Sequence, residues 1–316
     1  MWSKTVTKSY PHPVSGLSTL TLIYLVLLAV LSLATGWIYF NYSYRGMDIE
    51  AQDFDYPQFV VSGPMCVSKS GRRADHQHRR SAGNIPYSVT TPANYRRDYP
   101  HPLLVVWAPS GFNASLSERF TGLTGRATAR GYIVVHVASV PLGFKALRLL
   151  AAIPDEVVEA WCVDPEQIYY TGHSDGGTVS NALAVLPERR VEPAAIAPSA
   201  MGMKGGDMKD YACPGPTNVM LMHNLEDGHF PDYGGGVAQW WATCNRCGET
   251  PEVSNHPGCV EFPDCANQVR TLFCQARGNH AYWPGFDHDM MAFFEPRRLQ
   301  GSKTGAPDTT RDQELE

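Results

Sequence analysis

A serine between two glycines is the feature of this sequence that most directly indicates chemistry. Gly172, Ser174 and Gly176 lie in Gly-His-Ser-Asp-Gly-Gly, between a strand-like run at 167–171 and a helix-like run at 178–186. A sharp strand-to-helix turn with glycine on both sides can expose a serine hydroxyl without crowding from neighbouring side chains. Serines held in this way form acyl-enzyme intermediates. The motif predicts that Ser174 is a nucleophile that attacks an ester or related acyl bond.

A carboxylate that could orient a catalytic base follows a later strand-like run. Asp227 follows the run 218–223, in a loop that also holds Glu226 and Asp232. The acid of a catalytic triad must accept a hydrogen bond from the base and stabilise the imidazolium that forms. Position alone leaves the choice between Asp227 and its two neighbours open.

The candidate base follows the last strand-like run, at 269–275. His280 lies in a loop bounded by glycine and proline, whereas the competing His288 opens the final helix candidate. A loop just beyond a strand end can reach over the sheet edge to Ser174. The resulting order of serine, acid and histidine is that of the α/β-hydrolases, with Asp227 between the other two.

These side chains require a sheet whose strand ends meet at one edge. Short apolar runs rich in Val, Ile and Leu alternate with helix-like segments, which predicts a mostly parallel, doubly wound α/β sheet covered on both faces. One or two antiparallel strands are expected within 60–91. The basic residues at 69–73 and 79–80 are expected in a loop between them. The predicted strands lie at 103–107, 132–137, 167–171, 194–198, 218–223 and 269–275, and the helices near 115–130, 152–161, 176–187, 236–243 and 289–294.

Three local motifs carry a family resemblance. Residues 162–169 resemble a Cys-x-Asp-Pro lead-in to the serine turn, and 223–235 are similar to a His-Gly-x-x-Asp segment that ends in Tyr-x-Gly-Gly. Residues 279–285 resemble a Gly-His-x-Trp-Pro-Gly loop. On these motifs the chain resembles the polyhydroxybutyrate-depolymerase and feruloyl-esterase-like branch of the α/β-hydrolases. The resemblance implies that fold and singles out Asp227 as the acid and His280 as the base.

The resemblance also implies an oxyanion hole made of two backbone N–H groups. One comes from the residue after the nucleophile, here Asp175, and the other from the loop after the strand at 103–107. Members of the branch usually carry His-Gly in that loop, whereas this chain has Ala-Pro-Ser-Gly. Ser110 and Gly111 are therefore the candidates for the second donor.

The expected function is a serine esterase that cleaves carboxylic esters, small or polymeric, without a cofactor or metal. The resemblance covers esters like those of polyhydroxybutyrate depolymerases and of feruloyl esterases, and Tyr233 and Trp283 could line the substrate pocket. Two other classes stay open, a catalytically inactive binding module and a serine peptidase on the same fold. The complete set of serine, aspartate and histidine favours the esterase.

The first forty residues predict a membrane anchor. No charged residue occurs from Leu17 to Phe40. As a helix this stretch of about 24 residues would be roughly 36 Å long, enough to cross a bilayer core. Lys4 and Lys8 precede it and acidic residues follow it, which places the N-terminus at 1–16 in the cytoplasm and the rest outside. A cleaved signal peptide, the alternative, has a shorter apolar core than the span expected at 17–41.

All eight cysteines follow the predicted anchor, which indicates disulfides in a periplasmic, extracellular or lumenal domain. Their pairing cannot be derived from the sequence. A zinc site and a redox-active pair in the segment 244–266 are the disfavoured alternatives, as is a metal set of His223, Asp227 and His229. The cysteines are at 66, 162, 213, 244, 247, 259, 265 and 274.

Composition supports one globular domain and excludes a nucleic-acid footprint. The chain has 316 residues, 43% of them hydrophobic, and a formal net charge of -5, so it lacks the basic surface that nucleic acid requires. The predicted organisation is a tether at 42–58, a hydrolase domain at 59–296 with a cysteine-rich insertion at 244–266, and a disordered tail at 297–316.

Overall fold

The computed structural model describes residues 18–44, 66–67, 69–186 and 191–295, with the side chains of the first range described as far as residue 35. The predicted cytoplasmic segment 1–16, nearly all of the tether at 42–58 and the tail at 297–316 lie outside the described residues. The chain divides into two compact units, one up to Asp53 and one from Phe54 onward.

The described part of the first unit is a single helix, α1, from Thr19 to Tyr44. Its sequence is apolar and uncharged up to the aromatic residues near its end. Within the described residues of the chain, no helix meets the length and hydropathy needed to cross a membrane.

A ten-stranded mixed sheet forms the centre of the second unit. Its strand order is β1-β2-β4-β3-β5-β6-β7-β10-β9-β8, with five consecutive parallel pairings from β4 to β10 and antiparallel pairings at both edges. The mostly parallel sheet predicted from the sequence is thereby confirmed. The strands are β1 His76–Arg80, β2 Pro86–Thr90, β3 His101–Trp107, β4 Ile133–Val137, β5 Val163–His173, β6 Ala195–Ser199, β7 Asn218–Asn224, β8 Glu252–Val253, β9 Cys259–Phe262 and β10 Thr271–Ala276.

Helices cover both faces of this sheet. Side chains of α4, α5 and α6 pack into one apolar core, and those of α3 and α7 pack into a second core on the other face. Two short 3-10 turns lie at Asp207–Asp210 and Ala266–Gln268. The helices are α2 Ala114–Thr121, α3 Leu123–Thr128, α4 Phe144–Ala160, α5 Asp175–Val185, α6 Tyr233–Cys244 and α7 Asp287–Phe294.

Strand β3 shows why a continuous apolar run forms a central strand. Successive side chains point to opposite faces, so Leu103 and Val105 enter one core while Leu104 and Val106 enter the other. All seven residues of the strand are buried. A strand covered on both faces has no polar side, and its sequence is therefore uninterrupted rather than alternating.

Two details of the predicted elements are wrong. Arg79 and Arg80 belong to β1 rather than to a loop, because β1 is an edge strand whose exposed faces tolerate charge. Helix α4 begins at Phe144 and not near 152, and it continues through Pro154. Leu150, which lies one turn before the proline, is buried in the core.

The segment 244–266 is more ordered than the loop that the sequence predicts. It carries β8 and β9, which extend the sheet by two antiparallel strands beyond β10. The register places Cys259 opposite Cys274. The insertion is therefore joined to the domain both by a strand pairing and by covalent bonds.

Four disulfides pair the eight cysteines, and no free cysteine remains. The zinc alternative is wrong because no thiolate is left to bind the metal. The redox-active alternative is also wrong, since Cys244 and Cys247 bond to different partners. Four disulfides indicate a domain outside the cytoplasm. The pairs are Cys66–Cys162, Cys213–Cys244, Cys247–Cys265 and Cys259–Cys274.

Candidate active site

Ser174 lies in a tight turn between β5 and α5. Its backbone has φ 56° and ψ -120°, a conformation in the left-handed half of the map that a non-glycine residue adopts only under constraint. The constraint includes a hydrogen bond from the Ser174 N–H to the carbonyl of Ser199, 3.0 Å long, at the end of the neighbouring strand β6. The turn holds the hydroxyl half-exposed at the carboxyl edge of the sheet.

The two glycines of the motif are required by close backbone contact with the end of β3. A Cβ atom at Gly172 would lie 2.5 Å from the carbonyl oxygen of Trp107, and one at Gly176 would lie 1.9 Å from the same atom. No side chain fits at these distances. The glycines therefore allow the turn to pack against the strand that leads into the candidate oxyanion loop.

His280 approaches Ser174 from the loop after β10. Its Nε2 atom lies 2.9 Å from the hydroxyl oxygen of Ser174, although 106 residues separate the two in sequence. Parallel pairing of β10 with β7, in a sheet that also contains β5, brings these loops to one edge. The distance is that of a hydrogen bond through which a proton can pass.

Asp227 meets the other nitrogen of the same ring. Its Oδ2 atom lies 2.8 Å from Nδ1 of His280, and its Oδ1 atom accepts 2.9 Å hydrogen bonds from the N–H groups of His229 and Phe230. Burial alone would raise the pKa of this carboxyl. The hydrogen bonds from His280 and the two backbone groups outweigh burial, and the pKa of Asp227 is lowered. An ionised carboxylate therefore faces His280.

The competing side chains lie elsewhere. The Glu226 carboxylate accepts from the Gly278 N–H and ties the two loops together, and Asp232 is the exposed residue before α6. His288 lies exposed in the first turn of α7. His223 lies behind the acid, with Nε2 3.7 Å from Asp227 Oδ2.

The candidate oxyanion loop is a tight turn immediately after β3. The Phe112 N–H donates to the Pro109 carbonyl over 3.1 Å, and Gly111 has φ 76°, which matches a type II turn with glycine in its third position. The turn bond uses neither the N–H of Ser110 nor that of Gly111. Asp175 opens α5, directly after the serine. The end of β3 that leads into this turn packs against Gly172 and Gly176 on either side of Ser174.

Aromatic rings surround the histidine. The ring of Phe230 contacts that of His280 at 5.0 Å between centroids, and Tyr233 stacks on Phe230 at 5.4 Å. Tyr233 therefore reaches the site through Phe230. Trp283 lies 6.2 Å from the ring of His173 and donates its indole N–H to Asp287.

Three polar residues and two rings near the site are absent from the sequence-based assignment. The ring of His173 contacts the hydroxyl of Ser199. Asn224 donates to the carbonyls of Asn279 and Tyr282, on either side of His280. His173 lies inside the motif, and Asn224 ends the strand before the acid, so position gave a signal for both. Phe120 and Phe230 carry no local signal, because only folding brings them to His173 and His280.

Known proteins resemble this chain in both sequence and fold. No family model matches it. It is 25% identical over 203 residues to a probable feruloyl esterase C of Aspergillus oryzae, covering 58% of this chain and 72% of that protein. It is 27% identical over 236 residues to feruloyl esterase B of Piromyces equi, covering 62% of this chain but only 42% of that larger protein.

A solved acetyl xylan esterase from Aspergillus awamori shares the fold with a TM-score of 0.55 at 14% identity, over 70% of this chain and 98% of that one. An S-formylglutathione hydrolase from Staphylococcus aureus does so with a TM-score of 0.51 at 11% identity, over 71% of this chain and 100% of that one. The fold, the hydrogen-bonded serine, histidine and aspartate, and the sequence relatives agree. This chain is an ester-hydrolysing serine hydrolase with an α/β-hydrolase fold, similar to the feruloyl esterases.

Proposed function

We propose that Ser174, His280 and Asp227 are the catalytic triad of this hydrolase. The observation that carries the proposal is the unbroken chain of contacts from Ser174 Oγ to His280 Nε2, at 2.9 Å, and from His280 Nδ1 to Asp227 Oδ2, at 2.8 Å. Because the Asp227 carboxylate accepts at Nδ1, Nε2 is free to take the serine proton.

The reaction then proceeds through an acyl-enzyme. Ser174 Oγ attacks the ester carbonyl as His280 takes its proton, and His280 returns that proton to the departing alcohol. Water then attacks the acyl carbon as His280 takes its proton, and His280 returns that proton to Ser174 Oγ as the acid is released. The N–H groups of Asp175 and of Ser110 or Gly111 are proposed to stabilise the oxyanion in both steps.

The proposed substrate is an ester with an aromatic acyl group, as in feruloyl esters. Support comes from the Phe230 ring beside His280, from the Trp283 ring beside His173, and from the two feruloyl esterases among the relatives. Flat rings stack an aryl group better than they hold the short aliphatic chain of a hydroxybutyrate unit.

Turnover and covalent labelling of the full chain in detergent test the triad. We expect hydrolysis of p-nitrophenyl acetate and labelling by a fluorophosphonate, both lost in Ser174→Ala and retained in Ser115→Ala, a change in the first turn of α2. Labelling or turnover that persists in Ser174→Ala would contradict the assignment.

A substrate comparison tests the acyl group. We expect kcat/KM for methyl ferulate to exceed that for a hydroxybutyrate oligomer. In Phe230→Leu, kcat/KM for methyl ferulate should fall more than that for p-nitrophenyl acetate. An equal loss for both esters, or a preference for the oligomer, would exclude the aryl pocket.

We further propose that the hydrolase domain, at 59–296, is held outside the cytoplasm by a single membrane span at 17–41. Support comes from the uncharged stretch at 17–40, the helical conformation of 19–44 and the four disulfides that follow. The full chain should stay in the membrane pellet after alkaline extraction. Leu25→Arg combined with Leu28→Arg should release it, since each arginine costs about 2.5 kcal/mol or more at the centre of a span. Recovery of the unaltered chain in the supernatant would contradict the anchor.

A further inference from the structure

His173, the residue before the nucleophile, joins the serine turn to the histidine loop. The residue is 2% exposed. Nε2 lies 2.7 Å from the backbone carbonyl oxygen of His280, and Nδ1 lies 3.0 Å from the hydroxyl of Ser199. A carbonyl can only accept, so Nε2 carries the proton and Nδ1 accepts from the Ser199 hydroxyl.

Ser199 connects this ring to the nucleophile as well. Its carbonyl accepts the Ser174 N–H over 3.0 Å, while its hydroxyl holds His173. Ser199, the last residue of β6, is thus linked to the backbone of the nucleophile directly and to the backbone of the base through His173.

The histidine loop depends on such side-chain contacts. Loops lack the ladder of hydrogen bonds that positions a strand, and here Asn224 holds the carbonyls of Asn279 and Tyr282 while His173 holds that of His280 between them. Asn224 acts from the side of the acid and His173 from the side of the serine. The two residues therefore restrain different carbonyls of the same loop.

The ring of His173 adds no charge beside the base. Burial lowers its pKa to about 4, so the imidazole is neutral at neutral pH. The rings of Phe120 and Trp283 pack at 5.2 and 6.2 Å from it. An effect of His173 on catalysis must therefore come from geometry.

We propose that His173 is a positioning residue that sets the distance between His280 and Ser174 through its bond to the His280 carbonyl. The inference rests on the triad proposed above. A displacement of about 1 Å in a catalytic group can lower the rate about 100-fold. Loss of the bond between His173 and the His280 carbonyl should therefore lower kcat and leave substrate affinity unchanged.

Three substitutions and a matched control test this role. His173→Phe keeps the ring and removes both hydrogen bonds, His173→Gln keeps an N–H donor near the position of Nε2, and Ser199→Ala removes only the hydroxyl. His101 is the control, because it is 1% exposed and its ring likewise bridges a backbone N–H, of Arg96, and a backbone carbonyl, of Gly131. It lies at the opposite end of β3 from the serine turn.

With p-nitrophenyl acetate and the full chain, we expect His173→Phe to lower kcat about 10- to 100-fold with KM changed less than about threefold. His173→Gln should recover most of kcat. His101→Phe should lower the melting temperature but leave kcat of the folded protein unchanged. If His173→Phe does not fold, Ser199→Ala should still lower kcat about threefold or more at constant KM.

Two results would overturn the inference. One is a folded His173→Phe, or, where that variant does not fold, a folded Ser199→Ala, with kcat within about twofold of wild type. The other is an equal loss of kcat in His173→Phe and His101→Phe. Ser174→Ala and His280→Ala, measured in the same series, separate the two proposals. Activity in either variant refutes the triad. Inactive triad variants beside a fully active His173→Phe refute only the positioning role.

Discussion

The Oδ2 atom of Asp227 lies 2.8 Å from Nδ1 of His280, and the carboxylate side chain is almost completely buried. Its other oxygen accepts from two backbone N–H groups, so the carboxylate cannot rotate away from the ring. This pairing makes the acid the most sharply defined element of the candidate triad.

Replacing Asp227 should therefore lower kcat far more than replacing Asp232 in the same loop. Asp227→Asn keeps the shape but presents an amide that can donate to the ring and stabilise the wrong tautomer. We expect kcat to fall about 10³- to 10⁴-fold, as at other triads, with little change in KM. Asp232→Asn, an exposed carboxylate in the same loop, should stay within about twofold of wild type. Steady-state kinetics of both variants would measure the difference, and comparable losses would refute the assignment of the acid.

A proline at position 110 can test whether the backbone N–H of Ser110 is the second oxyanion donor. Position 110 is the second residue of a type II turn, where proline is favoured. Ser110→Pro removes the N–H and should lower kcat about 10²- to 10³-fold if that group binds the oxyanion. Ser110→Ala, which keeps the N–H, should remain active. Full activity of Ser110→Pro would assign the second donor to Gly111.

The turn should not tolerate even a methyl group at Gly176. A Cβ atom 1.9 Å from the Trp107 carbonyl forces the strand and the turn apart. We expect Gly176→Ala to lower the free energy of unfolding by about 3 kcal/mol or more and to abolish turnover. Gly215 has open space around it and provides the control. A Gly176→Ala protein as stable as Gly215→Ala would contradict the packing described.

The disulfide with the longest loop should stabilise the domain most. Cys66 and Cys162 are 96 residues apart, whereas Cys259 and Cys274 are 15 apart. Loss of loop-closure entropy in the unfolded chain gives about 4.7 kcal/mol for a loop near 100 residues and about 3 kcal/mol for one near 15. Paired Cys→Ser variants, compared by chemical denaturation, should follow that order. The reverse order would mean that local strand pairing dominates.

Acid should destabilise the fold through buried histidines. Burial lowers the pKa of His136 and of His173 from 6.5 to about 4. Between these values the unfolded chain binds more protons than the folded chain, so the free energy of unfolding decreases as the pH falls from about 6.5 to about 4. Each group contributes a slope of at most about 1.4 kcal/mol per pH unit.

Removal of one of these histidines should make that slope shallower. We expect His136→Leu to reduce the pH dependence of unfolding in denaturant, and the exposed His288→Leu to leave it unchanged. An unaltered slope in His136→Leu would show that this histidine is not the source of the acid sensitivity.

Several elements followed directly from local patterns. The buried runs around Val105 and Val135 became central strands, because a strand covered on both faces needs a continuous apolar sequence. The glycines around Ser174 indicated the turn, since contact with another backbone excludes any Cβ there. Arg79 and the start of α4 were missed because an edge strand tolerates charge and Pro154 obscured the helix.

The sequence by itself determined the alternation of strands and helices, the serine turn, and the order in which serine, aspartate and histidine occur. These depend on residues that are neighbours in the chain. Only the tertiary structure decided which cysteines pair and that His173 holds the carbonyl of His280, 107 residues away. Such contacts depend on where strand ends meet at the edge of the folded sheet, and no local pattern encodes those distances.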